Sequence, residues 1–270
     1  MRWMLRRPTG PNGEHLADRL GQYCGFSAIG VSPGGRDPLA QLVEDILSNV
    51  TAFPFLHLSV HRIAFLRGLA FGIKERVSDA PGHALTAAAD YGRWMLSIWQ
   101  LLRSDGLLPK DTSAIVVFAI SWIEQSDNSV AVDLKPWWKI VLPLLESIAA
   151  CGGRSDCHAA FHHLGSARGV HGVSAVDLFH VITVWSQRIA MSVTSQGEDL
   201  AARDPGREEY YSWRECASRA AEIVRALHEV DAIKSAADLE TAYQIVTSLA
   251  EPPFNSLKAV EVLRAIRDMN

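Results

Sequence analysis

Two apolar segments, residues 112–123 and 136–151, constrain this chain more than any other feature of its sequence. Each falls short of the about 20 apolar residues that a membrane-spanning helix needs. Each is long enough for a helix buried in a soluble core. A polar turn at 124–129 separates them. The pattern reads as an antiparallel helical hairpin at the centre of the protein, packed on both sides by other helices.

Helical spacing extends through most of the remaining sequence. Asp37 can cap a helix that Pro38 opens, and Leu39, Leu42, Val43, Ile46 and Leu47 then mark its apolar face. Val60, Ile63, Leu66, Ala70, Ile73 and Val77 recur every three or four residues along 55–77. Met95, Ile98, Trp99 and Leu102 do the same within 84–103. Ser174 with Asp177, and Ser235 with Asp238, have the spacing of capping boxes, and Ser155 can cap a short helix ending at Leu164. No stretch alternates as a strand would. The expected fold is all-α, built from antiparallel helix pairs as an α-solenoid-like array or an irregular multi-helix bundle.

Gly and Pro are dense from residue 8 to residue 38, so residues 1–36 read as an irregular N-terminal arm with one short helix at 14–22. Residues 37–195 read as a helical domain. The polar loop 195–206 is the expected internal boundary, and 207–270 reads as a C-terminal helical segment packed on the same array. The basic start, MRWMLRRPTG, has too short an apolar run for a secretory signal and reads as a frayed first turn.

A formal net charge of -4 gives no global attraction to nucleic acid or anionic lipid. The four cysteines, Cys24, Cys151, Cys157 and Cys216, are too scattered for a disulfide framework and fit a reducing cytoplasm. Motifs of common enzyme classes are missing. The segment 25–30 is not a nucleophile elbow, because Ile29 stands where its second glycine belongs. Gly30–Gly35 and the glycine-rich loop at 165–172 lack the phosphate-binding lysine. Neither His-Glu-x-x-His nor Glu-x-x-His occurs. No residue stands out as catalytic.

Three constellations nonetheless carry chemical possibilities. Cys157, His158 and His162 lie close together, and the two histidines, four apart, share a helix face from which they can ligate a metal such as zinc. Against this, the spacing matches no common zinc pattern. Trp137 and Trp138 offer an indole to a protein partner or to a ligand pocket, although adjacent helical residues point about 100° apart and both can equally pack in the core. Arg62, Arg67, Lys74 and Arg76 can form a phosphate-binding stripe, but such a run more often marks a solvated helix face.

The C-terminal 219–266 and the segment FLRGLAFGIK at 65–74, with WMLSIWQLL after it, resemble helical-repeat regions of large bacterial NTPase proteins of the phage-defence kind. The resemblance centres on Asn255-Ser256 between two amphipathic helices, with Ala259, Glu261 and Leu263 following. The chain lacks the glycine expected shortly after Asn255-Ser256, and it has no Walker motif, so no ATPase activity is implied. The resemblance implies a sensing or scaffolding element of a bacterial cytoplasm with a protein partner. The expected function is therefore a non-catalytic helical interaction, scaffold or sensing protein without cofactor, membrane or nucleic-acid partner. The alternative is a metal-dependent helical enzyme using Cys157, His158 and His162.

Overall fold

A computed structural model describes residues 13–28, 38–79, 88–104, 109–125, 135–165, 173–196 and 213–268. The described residues form helices and no strand, as the apolar periodicity requires. The chain divides into two compact units, Met1–Gln125 and Ser126–Asn270.

The first unit contains α1 (Gly13–Ala28), α2 (Pro38–Ser48), α3 (Ser59–Asp79), α4 (Ala88–Ser104) and α5 (Pro109–Gln125), with two short 3-10 turns, Val50–Ala52 and Pro54–Leu56. Helix α1 packs on α2 and α3, α2 on α4, α3 on α4 and α5, and α4 on α5. Each helix thus meets the next-but-one in the chain, giving two layers, α1/α3/α5 and α2/α4. Helix α3 is central and is buried on more of its circumference than its sequence stripe indicated. Ala64, Phe65, Leu66, Leu69, Ala70 and Ile73 are all fully buried, whereas Val60, expected inside, is exposed. The indoles Trp94 and Trp99 of α4 complete this core.

The short helix expected at 14–22 within an irregular arm is the longer helix α1, Gly13–Ala28, and it packs tightly along α3. Its buried face is made of small residues, Ala17, Gly21, Cys24, Gly25 and Ala28. Gly21 and Gly25 face Gly68 and Gly72 in a reciprocal interlock. A Cβ added at Gly21 would overlap the Phe65 carbonyl oxygen, and one at Gly25 the Leu69 carbonyl oxygen. In the other direction, a Cβ at Gly68 or Gly72 would overlap the carbonyl oxygen of Asp18 or Gln22. The ascending register shows that α1 and α3 run parallel. At this separation backbones touch directly and Cα–H···O contacts form. The glycines that suggested loop in a single-segment reading are, at four-residue spacing, a packing surface.

The second unit contains α6 (Lys135–Cys151), α7 (Arg154–Leu164), α8 (Ala175–Gln196), α9 (Trp213–Glu229), α10 (Ala236–Ala250) and α11 (Leu257–Asp268). Helix α6 packs on α7 and α8, α7 on α9, α8 on α9 and α10, α9 on α10 and α11, and α10 on α11. The layers are α6/α8/α10 and α7/α9/α11. Trp185 of α8 is the hub of the core. Its ring meets Phe161 of α7 edge-on at 5.0 Å, Phe254 at 5.2 Å and Trp213 of α9 at 6.2 Å. The Ser235–Asp238 capping box of α10 forms as expected, with both bonds made. Ser174 likewise accepts from the Asp177 amide at the start of α8. At the Asn255-Ser256 junction, the buried Ser256 Oγ accepts from the Ala259 amide at 3.2 Å and meets Ser218 Oγ of α9 at 3.0 Å.

Both apolar segments are helices, one in each unit, and the turn expected between them falls largely outside the described residues. Helix α5 belongs to the first unit and packs on α3 and α4, while α6 belongs to the second and packs on α7 and α8. The unit boundary falls between Gln125 and Ser126, within the stretch expected as one helical domain. The stretch 195–206, expected as the internal boundary, belongs to the second unit, and its residues 197–206 lie outside the described residues. Apolar length records that each helix is buried, not which helix buries it.

Two stability measurements test this packing. Alanine is favoured over glycine inside a helix by about 1 kcal/mol, so propensity alone makes Gly21→Ala and Gly68→Ala stabilising. The interlock predicts the opposite sign, a loss of about 1–3 kcal/mol in the urea unfolding free energy, because the clashing atom is backbone. On α6, Leu145 is buried and Glu146 is exposed. Leu145→Ala should cost about 2–5 kcal/mol and Glu146→Ala no more than about 0.5.

Candidate functional site

The densest group of titratable side chains lies where α6 turns into α7 and α7 meets α9. The turn is built on Gly152, whose amide donates to the Ile148 carbonyl at 2.7 Å. A Cβ there would lie only 2.6 Å from that carbonyl oxygen, so glycine is required. Gly153 then precedes α7, and its amide donates to Asp156 Oδ2 at 3.3 Å. Helix α7 runs parallel to α9. Cys216 Sγ donates to the Arg154 carbonyl at 3.6 Å near the start of both helices, and Gly165 lies against Glu222 further along.

Of the three residues expected as metal ligands, the structure brings the two imidazoles together and turns the thiol away. His158 and His162 stack with ring centroids 5.8 Å apart and planes 7° from parallel, and His163 meets His162 edge-on at 5.5 Å. Cys157 Sγ instead donates to the Ile148 carbonyl at 3.8 Å and the Gly152 carbonyl at 3.9 Å, at the end of α6. Burial pushes this thiol up to about 12, with the nearby Arg188 guanidinium only partly opposing the shift. Burial raises the Cys216 thiol as well. A nucleophilic or metal-binding cysteine needs thiolate, and these environments disfavour it. Among the described residues, no group of three or more His, Cys, Asp or Glu is placed to hold a metal ion.

His158 is 7% exposed and stays neutral far below the usual histidine range, at about 4. Desolvation is the main cause, followed by the positive charge of Arg219 and of the neighbouring His162 and His163. Arg219 is itself held by Glu215 at 3.1 Å and Glu222 at 2.9 Å.

Three residues that sequence reasoning passed over organise this region: Arg188, Trp213 and Arg219. Arg188 Nη2 donates to the Gly152 carbonyl at 3.0 Å, tying α8 to the α6–α7 turn. Its guanidinium and that of Arg154 each lie 5.9 Å from the Trp213 ring centroid. The available signal was Arg188 itself, a single cation within the apolar run of α8. Trp138 is 4% exposed and lies in the core, so it offers no indole to a partner. The side chain of Trp137 lies outside the described residues.

The cations of the basic run on α3 also take part in the packing of the unit. Arg62 donates to the Leu56 and His57 carbonyls at 2.9 Å, and Arg67 pairs with Asp18 of α1 at 3.7 Å. Lys74 sits 5.9 Å and 5.7 Å from the Phe71 and Phe118 ring centroids, and Arg76 5.4 Å from that of Phe26. Each cation joins separate elements of the unit or covers an aromatic ring.

The depressed His158 value has a signed consequence. The unfolded chain takes up this proton near the ordinary 6.5, the folded one only near 4. The contribution of neutral His158 to stability is therefore complete above pH 6.5 and is lost as pH falls toward 4. Urea midpoints measured across this window should decline in the native protein and decline less in His158→Gln.

No protein-family model, curated protein or solved structure matches the chain.

Proposed function

We propose that the chain is a non-catalytic helical interaction module, a scaffold or sensing element that works by binding a protein partner. The observation carrying this reading is how its charged and aromatic groups are used. Arg62, Arg67, Arg188 and Trp213 join helix to helix or hold a turn, within two-layer stacks of helices. Stacked helix pairs generate extended surfaces for macromolecular partners, as α-solenoids do. The resemblance of 65–74 and 219–266 to helical-repeat regions of bacterial defence proteins supports the same reading and, with the scattered cysteines, a cytoplasmic setting. No helix among the described residues is long and apolar enough to cross a membrane.

Elemental analysis separates this reading from a metal-dependent enzyme. Protein purified without chelator should hold no stoichiometric zinc. One equivalent of zinc, lost in a His158→Ala/His162→Ala variant that still folds by circular dichroism, would overturn the interaction reading.

A further inference from the structure

Helix α1 has two unlike faces. One is the small-residue face locked onto α3. On another flank, Leu16, Leu20 and Tyr23 follow one another at i, i+4 and i+7, with Phe26 one turn beyond. Leu16 is 42% exposed, Tyr23 59% and Phe26 38%, while Leu20 is half-buried. A run of exposed apolar residues along one helix flank marks an interaction surface more strongly than scattered single residues do. A helix held rigidly on its opposite side presents such a surface with little ordering cost.

The charges around the stripe select the occupant. Arg19 is exposed and lies three residues from Leu16 and four from Tyr23, at the stripe's edge. His15, also exposed, is four residues from Arg19 on the same side, and the Arg76 guanidinium lies over the Phe26 ring. The acid Asp18 is turned to α3, where it meets Arg67 at 3.7 Å and accepts from Gln22 at 2.8 Å. The edge of the stripe is therefore cationic although the chain as a whole is slightly acidic, with formal net charge -4.

From this geometry we infer that the Leu16–Tyr23 flank of α1 is the docking site for an acidic amphipathic helix of a partner protein. The partner's apolar stripe lies along Leu16, Leu20, Tyr23 and Phe26, and its carboxylates meet Arg19 and its basic neighbours. Recognition is helix against helix, with Tyr23 in the stripe and Arg19 at its edge, two residue types that dominate interface energetics. The inference rests on the interaction reading and supplies its surface and its partner chemistry.

The test uses the full chain and two fluorescein-labelled synthetic helical peptides with one leucine stripe, one carrying glutamates and the other lysines at the remaining positions. Fluorescence anisotropy should show saturable binding of the glutamate peptide, about tenfold or more tighter than the lysine peptide. Tyr23→Ser should weaken it by about tenfold or more, and Arg19→Glu should abolish the preference for glutamate. Because both side chains are exposed, the variants should melt with the native protein, which separates lost docking from lost folding. Absent binding, equal binding of both peptides, or binding unchanged in the two variants would each overturn the inference. Sedimentation showing a dimer that Tyr23→Ser dissociates would also overturn it, by assigning the flank to a second copy. That last outcome leaves the interaction reading standing, whereas stoichiometric zinc at His158 and His162 would remove the reading itself.

Discussion

The reciprocal glycine contact between α1 and α3 is the constraint on which the first unit depends. Glycine inside a helix costs about 1 kcal/mol relative to alanine, and Gly21, Gly25, Gly68 and Gly72 all sit inside helices. The compensation is close approach. With no Cβ on either side, backbone meets backbone along two turns, and many weak dispersion contacts replace the few that larger side chains would make at longer range. The arrangement has little tolerance, since the atoms a new Cβ would strike are carbonyl groups of the facing helix, which cannot rotate away. It also sets direction and register, because the Gly21/Phe65 and Gly25/Leu69 contacts are both made only in one parallel alignment. Helix α3 can then be buried on most of its surface, with α1, α4 and α5 around it.

The second unit reaches a similar layering by other means. Here large rings do the packing, with Trp185 joined to Phe161, Trp213 and Phe254. Directional bonds then fix the turns: Arg188 on the Gly152 carbonyl, and Ser256 on both Ala259 and Ser218. Cations placed against aromatic faces contribute on the order of 0.5–2 kcal/mol depending on desolvation. Arg154 and Arg188 around Trp213 are such a pair. The residues that looked most reactive in the sequence are thereby given structural work. Cys157 becomes a buried thiol donor to the end of α6, and His158 a neutral imidazole under its neighbour His162.

These two modes of packing leave different surfaces. Where glycines draw α1 onto α3, the bulky residues of α1 are left on its outer flank, Tyr23 and Leu16 among them. In the second unit the large rings Trp138, Phe161, Phe179, Trp185 and Phe254 are buried. An interaction module needs a rigid frame and a surface with residues to spare, and the first unit supplies both in a single helix.

The sequence by itself determined the secondary structure and part of the local chemistry. Apolar spacing at three and four residues specified the helices, because that period is a property of the helix itself. Ser235 and Asp238 specified a capping box because both partners lie within one turn. Tertiary structure decided everything that joins distant residues. The sequence indicated a helix only over 14–22, and the close match of Gly21 and Gly25 to Gly68 and Gly72 of α3 accompanies its extension to Ala28. The apolar segments at 112–123 and 136–151 showed that both are buried but not that each is buried in a different unit. Cys157 and His158 were adjacent in sequence and looked like one site. Successive residues on a helix point about 100° apart, so packing sent the thiol to the end of α6 and the imidazole toward Arg219 on α9.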